Sequence, residues 1–209
     1  MPRPAGVRNH DFEAKRTALL DTLTEFALKD DLRRPSLRQF AIAVGASEPT
    51  LRHYFGDRQG VVIAILGHIH KRAIALWDIV ATPAETPGAA VEEYYRVTRA
   101  GMTHAGFAKA HAFGLVEGMA DETVGRAYLE QLLDPALEAV SRKLTATPGG
   151  PATPAETRAS AFLMLAPILV MTLHQELLGG SDVSPIDADD FLSQMQRWLA
   201  SGLTGNSSS

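Results

Sequence analysis

The sequence predicts an all-α fold, because apolar residues recur at spacings of three and four along most of the 209-residue chain. Segments that alternate polar and apolar residues for long are scarce, so β-strands are not expected. Hydrophobic residues make up 45% of the chain, which is enough to form a well-buried core. We therefore expect a folded helical protein with one large or two small domains.

Capping residues and apolar stripes predict where the helices lie. A first helix is expected over residues 11–29. Ser36 and Ser47 are placed to cap a second helix over 37–44 and a third over 48–54, with Pro49 tolerated in the first turn of the third. The remaining helices are expected at 58–80, 88–104, 107–119, 122–146, 154–179 and 187–203, with loops at 82–88 and 147–153.

The charge distribution limits where nucleic acid can bind. Lys and Arg total 20 against 24 Asp and Glu, so the net charge of −4 excludes a chain coated with basic residues. Residues 1–58 hold ten Lys and Arg against eight Asp and Glu, which gives +2, and the remaining ten against sixteen give −6. Any attraction for phosphate is therefore expected within the first quarter of the chain.

Several classes of protein are disfavoured by what the sequence lacks. With no cysteine, disulfides, thiolate zinc sites and cysteine nucleophiles are excluded. The first eleven residues have no apolar run typical of a secretory signal, and the longest apolar stretch, 159–173, is too short and too interrupted for a membrane span. We expect a soluble, cytoplasmic protein that has no membrane partner.

No catalytic or metal-binding pattern is apparent. His104 and His111 lie seven residues apart, and His68 and His70 point to opposite sides of a helix, without suitably placed carboxylates. The sequence has no phosphate-binding glycine loop, nucleophile elbow or HExxH motif. We predict no catalytic residue, no metal ligand and no cofactor. An enzyme remains the weaker alternative, and a helical protein-interaction module without DNA binding remains another.

The segment 36–55, SLRQFAIAVGASEPTLRHYF, has the pattern of a helix-turn-helix. Two helices that cross at a tight turn need a small residue at the contact, a glycine at the reversal and an apolar residue that anchors the second helix. Ala41, Gly45 and Leu51 meet these needs at offsets of four and six. The residues expected to face outward, rich in donors suited to phosphates and base edges, are Arg38, Gln39, Glu48, Thr50, Arg52 and His53.

This segment and its flanks resemble the DNA-binding module of the TetR/AcrR family of bacterial transcriptional regulators. The order of a first helix, a helix-turn-helix and the start of a long helix is reproduced, as is the run from Tyr54 to Arg58. The resemblance implies a DNA-binding domain over 11–71 and a helical effector-binding and dimerisation domain over 72–204. The chain departs from the family's pattern in having Asp30 and Asp31 where a glycine is usual, Arg52 where a tyrosine is usual, and Tyr54 where a histidine is common.

The resemblance implies that the protein is a ligand-responsive repressor that acts as a homodimer on partly palindromic double-stranded operator DNA. Thr50 is expected to approach bases or the DNA backbone. Arg52 and His53 are expected to reach phosphates or a guanine edge, and Tyr54 and Arg58 are expected to bind phosphates. The full set of residues expected to contact DNA is Ser36, Arg38, Ser47, Thr50, Arg52, His53, Tyr54 and Arg58.

The second domain is expected to pair two subunits and to bind a small molecule. The segment 159–178 is apolar on nearly all sides, so it needs a second covering layer. Residues expected at the dimer interface are Phe162, Leu165, Leu169, Leu173, Phe191, Met195 and Trp198. Residues expected to line the pocket of a small apolar or aromatic effector are Trp77, Tyr94, Met102, Phe107, His111, Phe113, Tyr128, Phe162 and His174. Aromatic and methionine residues at helical spacing are also typical of an ordinary core.

Overall fold

The computed structural model describes residues 5–29, 34–104 and 106–204, and most of these residues are helical. The helices are α1 (Ala5–Ala27), α2 (Leu37–Ala43), α3 (Glu48–Phe55), α4 (Arg58–Val80), α5 (Pro87–His104), α6 (Phe107–Ala120), α7 (Glu122–Tyr128), α8 (Asp134–Ala146), α9 (Pro154–Thr172), α10 (Gly180–Val183) and α11 (Ala188–Thr204). Within the described ranges there is no strand. This confirms the predicted all-α class.

Most predicted helix ends agree closely with the structure. Helices α2 to α6 and α11 match their predicted bounds to within one residue. The first helix begins at Ala5, well before the predicted residue 11. The predicted helices 122–146 and 154–179 are interrupted by π-helical turns at Leu129–Leu133 and Leu173–Leu177, which the apolar periodicity did not indicate.

The chain divides into two compact units. The first unit contains the described residues up to Arg72 together with Phe113–Tyr128. The second contains Ala73–Ala112 and the described residues from Leu129 onward. The predicted division after residue 71 assigned 113–128 to the second domain, whereas the structure places this segment in the first unit.

The first unit has its core where α1, α2 and α3 meet. Leu23, Phe40 and Leu51 are completely buried, and the rings of Phe26 and Phe40 make an edge contact at 5.9 Å between centroids. Helix α4 adds a fully buried stripe of Val61, Val62, Ile65 and Leu66.

Glycines bring α6 and α7 of the first unit unusually close together. A Cβ atom on Gly118 would lie 2.9 Å from the Cα of Gly125, and one on Gly114 would lie 2.2 Å from the Tyr128 ring. Any larger residue at Gly114 or Gly118 would force the two helices or the buried ring to move. Small residues are therefore required for this hairpin to pack as it does.

In the second unit α5 packs against α11 and α8 packs against α9. The Lys143 ammonium is buried, and it donates to the Glu93 carboxylate at 2.6 Å and to the Thr82 carbonyl at 2.7 Å. A buried charge is tolerated only when it is paired in this way. The Thr147 hydroxyl accepts from the Ala84 amide at 3.1 Å, so α8 also holds the connection before α5.

Two helices, Arg58–Val80 and the segment 154–175, are long and apolar enough by length and composition to cross a membrane. Core helices of soluble proteins pass the same test, and each of these two has a buried side that packs within the units described above. The two helices are accordingly weak evidence for a membrane span.

The core of the second unit contains a histidine, His111, whose side chain is almost completely buried. Burial disfavours the charged imidazolium and lowers the pKa of His111 from 6.5 to about 4. The imidazole is therefore neutral in the folded protein at neutral pH. Below about pH 6.5 the unfolded chain takes up a proton at this position more readily than the folded chain does.

We predict that His111 makes the fold sensitive to mild acid. Because the folded-state pKa is lowered, the stability linked to neutral His111 is present above about pH 6.5 and is lost as the pH falls toward 4. Between pH 7.5 and pH 4.5 the free energy of unfolding in urea should fall by about 2 to 3 kcal/mol more in the wild type than in His111→Leu. Equal pH dependence in the two proteins would contradict this assignment.

Candidate DNA-binding surface and effector cavity

The turn between α2 and α3 is built from small residues. Gly45 has a φ of +63°, a left-handed conformation that glycine adopts at little cost. The Ala46 amide donates to the Ala41 carbonyl at 2.9 Å, which closes the turn. Leu51, fully buried, then anchors α3 against the helix before it. These contacts fix the angle at which the outer face of α3 is presented.

Serine side chains cap both helices, as their position in the sequence predicts. The Ser36 hydroxyl accepts from the Gln39 amide at 3.2 Å, and the Gln39 side chain accepts from the Ser36 amide at 2.8 Å. The Ser47 hydroxyl accepts from the Thr50 amide at 3.3 Å and lies 2.8 Å from the Thr50 hydroxyl. Ser36 and Ser47 therefore have structural roles, whether or not they also contact DNA.

The outer face of α2 and α3 carries the polar side chains that the sequence predicts there. Arg38, Arg52 and His53 are exposed, whereas Thr50 and Tyr54 are half-buried. The Arg52 guanidinium lies 4.0 Å from the carboxylate of Glu48, one helical turn earlier, an exposed contact that costs little to break. The face thus offers cationic, imidazole and hydroxyl donors on one short helix.

The side chains at the end of α3 rest on α1, an arrangement that the sequence analysis did not anticipate. The Phe12 ring lies 4.7 Å from the Tyr54 ring and 5.6 Å from the His53 ring, measured between centroids. The Arg16 guanidinium lies 5.3 Å from the centre of the Phe55 ring. The rings of His53 and Tyr54 therefore pack against α1.

Arg58, predicted to bind phosphate, makes two contacts within the protein. Its Nε donates to the Pro35 carbonyl at 2.6 Å, and a terminal nitrogen donates to the Glu117 carboxylate at 2.6 Å. Arg34 donates to the other oxygen of the same carboxylate at 3.3 Å. Glu117 lies on α6, and neither Arg34 nor Glu117 was singled out from the sequence.

A second carboxylate joins the same end of α6 to the start of α4. Asp121 accepts from the amides of Thr123 and Val124, which caps α7, and both of its oxygens accept from the Gln59 side chain at 2.9 and 3.0 Å. The Val124 amide, followed by Gln59, lowers the pKa of Asp121. Asp121 is therefore held ionised at the junction of these helices.

The second unit encloses an apolar cavity of about 40 Å³, which is room for about three water molecules. Its walls are formed by Leu76, Trp77, Val80, Tyr94, Val97, Thr98, Ala108, His111, Ala136, Val140, Leu165, Ile168 and Leu169. None of these side chains is charged at neutral pH, because burial keeps His111 deprotonated and raises the pKa of Tyr94. The cavity therefore has no group that could neutralise an ionised ligand.

Three of the predicted pocket residues, Trp77, Tyr94 and His111, come together in this cavity. Four of the remaining predicted residues lie away from the cavity. Phe113 and Tyr128 belong to the first unit, Phe162 is exposed, and His174 lies in a π-helical turn against Gly180. The side chains of Met102 and Phe107 lie outside the described part of the structure.

The residues predicted at a dimer interface separate into two groups. Phe162 on α9 and Trp198 on α11 are exposed, and Leu173, Phe191 and Met195 are half-buried. Leu165 and Leu169 line the cavity of the second unit, because α9 turns that side toward the core. Besides Phe162, the exposed side of α9 carries Leu163 and Val170, which the prediction did not include.

No family model matches the chain, and no curated protein matches it. Among solved structures, a TetR-family transcriptional regulator from Mesorhizobium loti MAFF303099 is similar with a TM-score of 0.66 at 14% identity, covering 93% of this chain and 97% of that one. A second similar structure is AlkX, a TetR-family repressor from Dietzia sp. strain DQ12-45-1b implicated in biodegradation of n-alkanes. Its TM-score is 0.50 at 18% identity, and the match covers 91% of this chain and 95% of AlkX. A transcriptional regulator of the TetR/AcrR family from Thermobifida fusca YX-ER1 has a TM-score of 0.51 at 17% identity, and the match covers 90% of this chain and 98% of that one. The chain therefore has the fold of the TetR family of transcriptional regulators.

Proposed function

We propose that this protein is a DNA-binding transcriptional regulator, a ligand-responsive repressor that binds a partly palindromic operator as a homodimer. The proposal depends above all on the outer face of α3, where Arg52 and His53 are exposed while Leu51 anchors the helix from below. A short, rigid helix with donors on its outer face suits the major groove. The TetR-type fold is consistent with this function.

The DNA-binding proposal can be tested on duplexes of random sequence. Purified protein would be used to select fragments from such a library, and the enriched fragments would be sequenced. We expect a partly palindromic motif with half-sites about one helical turn apart, or a multiple of it, because two recognition helices bind together. Absence of any enriched motif at low salt would contradict the proposal.

Substitutions on α3 should separate base contacts from phosphate contacts. We predict that Arg52→Gln and Tyr54→Phe weaken binding to every sequence by about 3- to 10-fold, because each removes a donor to phosphate. Thr50→Ala should instead change the preference among operator variants, because we propose that its methyl group contacts a base edge. Gel-shift affinities across an operator series measure both effects.

Arg126→Gln supplies the matched control for these variants, because it removes one positive charge from an exposed position on α7. Its affinity for the operator should stay within about twofold of the wild type. If all three α3 variants behave like Arg126→Gln, the assigned contacts are incorrect.

The proposed homodimer uses the exposed apolar sides of α9 and α11. On α9, Leu163 and Val170 are 57% and 63% exposed and lie seven residues apart, so they share one face of the helix. Trp198 on α11 is also exposed. Large apolar side chains at such exposure are typical of a subunit interface.

We predict that Leu163→Glu combined with Val170→Glu shifts the protein from dimer to monomer. A twofold axis would bring four added carboxylates into one apolar interface, which should weaken dimerisation at least 100-fold. Light scattering over a dilution series measures the change. Ile79→Glu, at an exposed apolar position on α4, is the control and should leave the dimer intact. A wild-type monomer, or a double variant that dimerises normally, would rule out this interface.

The proposed effector is a small, uncharged, apolar or aromatic molecule that binds in the cavity of the second unit. The walls are almost entirely apolar, and their polar groups are neutral at pH 7. An ionised ligand would lose its hydration there without gaining a counter-charge. Because the cavity is smaller than most ligands, binding would require the surrounding helices to separate.

We predict that neutral compounds stabilise the protein more than their charged counterparts. At equal concentration 1-octanol should raise Tm more than octanoate, and benzyl alcohol more than benzoate, because only the neutral member enters the cavity without a desolvation penalty. Ala136→Leu, which fills the cavity, should abolish the difference while operator binding is retained. If octanoate and benzoate stabilise the protein as well as the alcohols do, the effector is not of this class.

A further inference from the structure

We propose that Glu117 withholds Arg34 and Arg58 from DNA phosphates and thereby lowers the affinity of the protein for DNA of any sequence. The inference deepens the proposed DNA-binding function and rests on it. It makes Glu117 a residue that sets the discrimination between operator and other DNA, although it lies on α6, outside the helix-turn-helix.

The three side chains form a compact ion cluster within the first unit. Arg58 approaches one oxygen of the Glu117 carboxylate at 2.6 Å, and Arg34 approaches the other at 3.3 Å. The Glu117 side chain is 1% exposed, whereas those of Arg34 and Arg58 are 44% and 26% exposed. The carboxylate is thus buried and depends on its partners, while both arginines remain within reach of the surface.

Arg58 lies at the N-terminus of the long helix α4, where phosphate is generally attracted. Arg58 is the first residue of α4, and its Nε also donates to the Pro35 carbonyl. Arg34 precedes Ser36, the N-cap of α2, by two residues. Helix N-termini favour anions through their free amides and their dipoles. The carboxylate of Glu117 therefore takes up the arginine that would complement a phosphate at the start of α4, together with Arg34 beside it.

The cost to DNA affinity follows from the charge count. Residues 34–58 contain four arginines, and Glu117 holds two of them. Each phosphate contact contributes about 0.9 to the slope of log affinity against log salt concentration. Because phosphate contacts supply nearly all of the non-specific affinity, withholding them lowers that affinity proportionally more than it lowers operator binding.

The test compares wild type, Glu117→Gln and Glu122→Gln on the selected operator and on a duplex that lacks it. Glutamine can still accept one arginine hydrogen bond but does not neutralise the cations. Glu122→Gln changes the net charge by the same amount at an exposed site on α7, so it controls for charge alone. Circular dichroism and urea unfolding establish that each variant is folded.

Glu117→Gln should bind the non-operator duplex more tightly and with a steeper salt dependence. If one arginine in each protomer of a dimer is released, the loss of affinity between 50 and 200 mM salt should increase about 12-fold relative to the wild type. The ratio of operator to non-operator affinity should fall. Equal salt slopes for Glu117→Gln and Glu122→Gln would overturn the inference.

A second variant keeps the test informative if Glu117→Gln does not fold. In the wild-type background Arg34→Gln should leave the salt slope unchanged, because Arg34 is already bound to Glu117. A slope reduced by about 0.9 per protomer would show that Arg34 contacts phosphate and would overturn the inference. If the wild type itself enriches no operator and binds DNA at no salt concentration, the proposed function fails as well. If the wild type binds its operator but the variants do not show the salt dependence stated above, the inference about Glu117 fails and the proposed function stands.

Discussion

One buried carboxylate holds the first unit together. Glu117 on α6 binds Arg58 at the start of α4 and Arg34 just before α2, while Arg58 also binds the Pro35 carbonyl. Ionised carboxylates are stable in a protein interior only when cations and hydrogen bonds replace their hydration. This requirement fixes the start of the helix-turn-helix against a segment that lies about eighty residues further along the chain. The compact unit that carries α3 therefore cannot be a continuous stretch of sequence.

Local signals in the sequence were sufficient to predict the helix-turn-helix. Ser36 and Ser47 as caps and Gly45 at the reversal act within a few residues, so their effects can be read from spacing alone. The Glu117 cluster joins positions 59 and 83 residues apart, and no periodicity encodes such a contact. Helical periodicity likewise indicates that a residue is buried without indicating its neighbours. For this reason the predicted pocket set mixed residues that do share the cavity, such as Trp77, with Phe113 and Tyr128 of the other unit.

The small size of the cavity has an energetic consequence for the proposed effector. Helices that enclose only about 40 Å³ must separate before a ligand of ordinary size can enter. The hydrogen bond from the Tyr95 hydroxyl to the Met164 carbonyl, 3.3 Å long, joins α5 and α9, which both contribute to the cavity wall. An effector would stabilise an open state to the extent that its own contacts exceed those lost. Only the fraction of molecules that is already open can bind the effector. Its apparent affinity would therefore be its affinity for the open state multiplied by that fraction.

For the proposed DNA-binding function, the charge distribution and the Glu117 cluster would act in the same direction. The chain carries −4 overall, and the residues beyond 58, with ten basic against sixteen acidic side chains, repel DNA at long range. The proposed DNA-binding surface lies within 34–58, where the single carboxylate of Glu117 pairs with two of the four arginines. Weak general attraction would leave the proposed base contacts from α3 with a larger share of the binding free energy. In a genome that offers millions of competing sites, discrimination depends on that share rather than on total affinity.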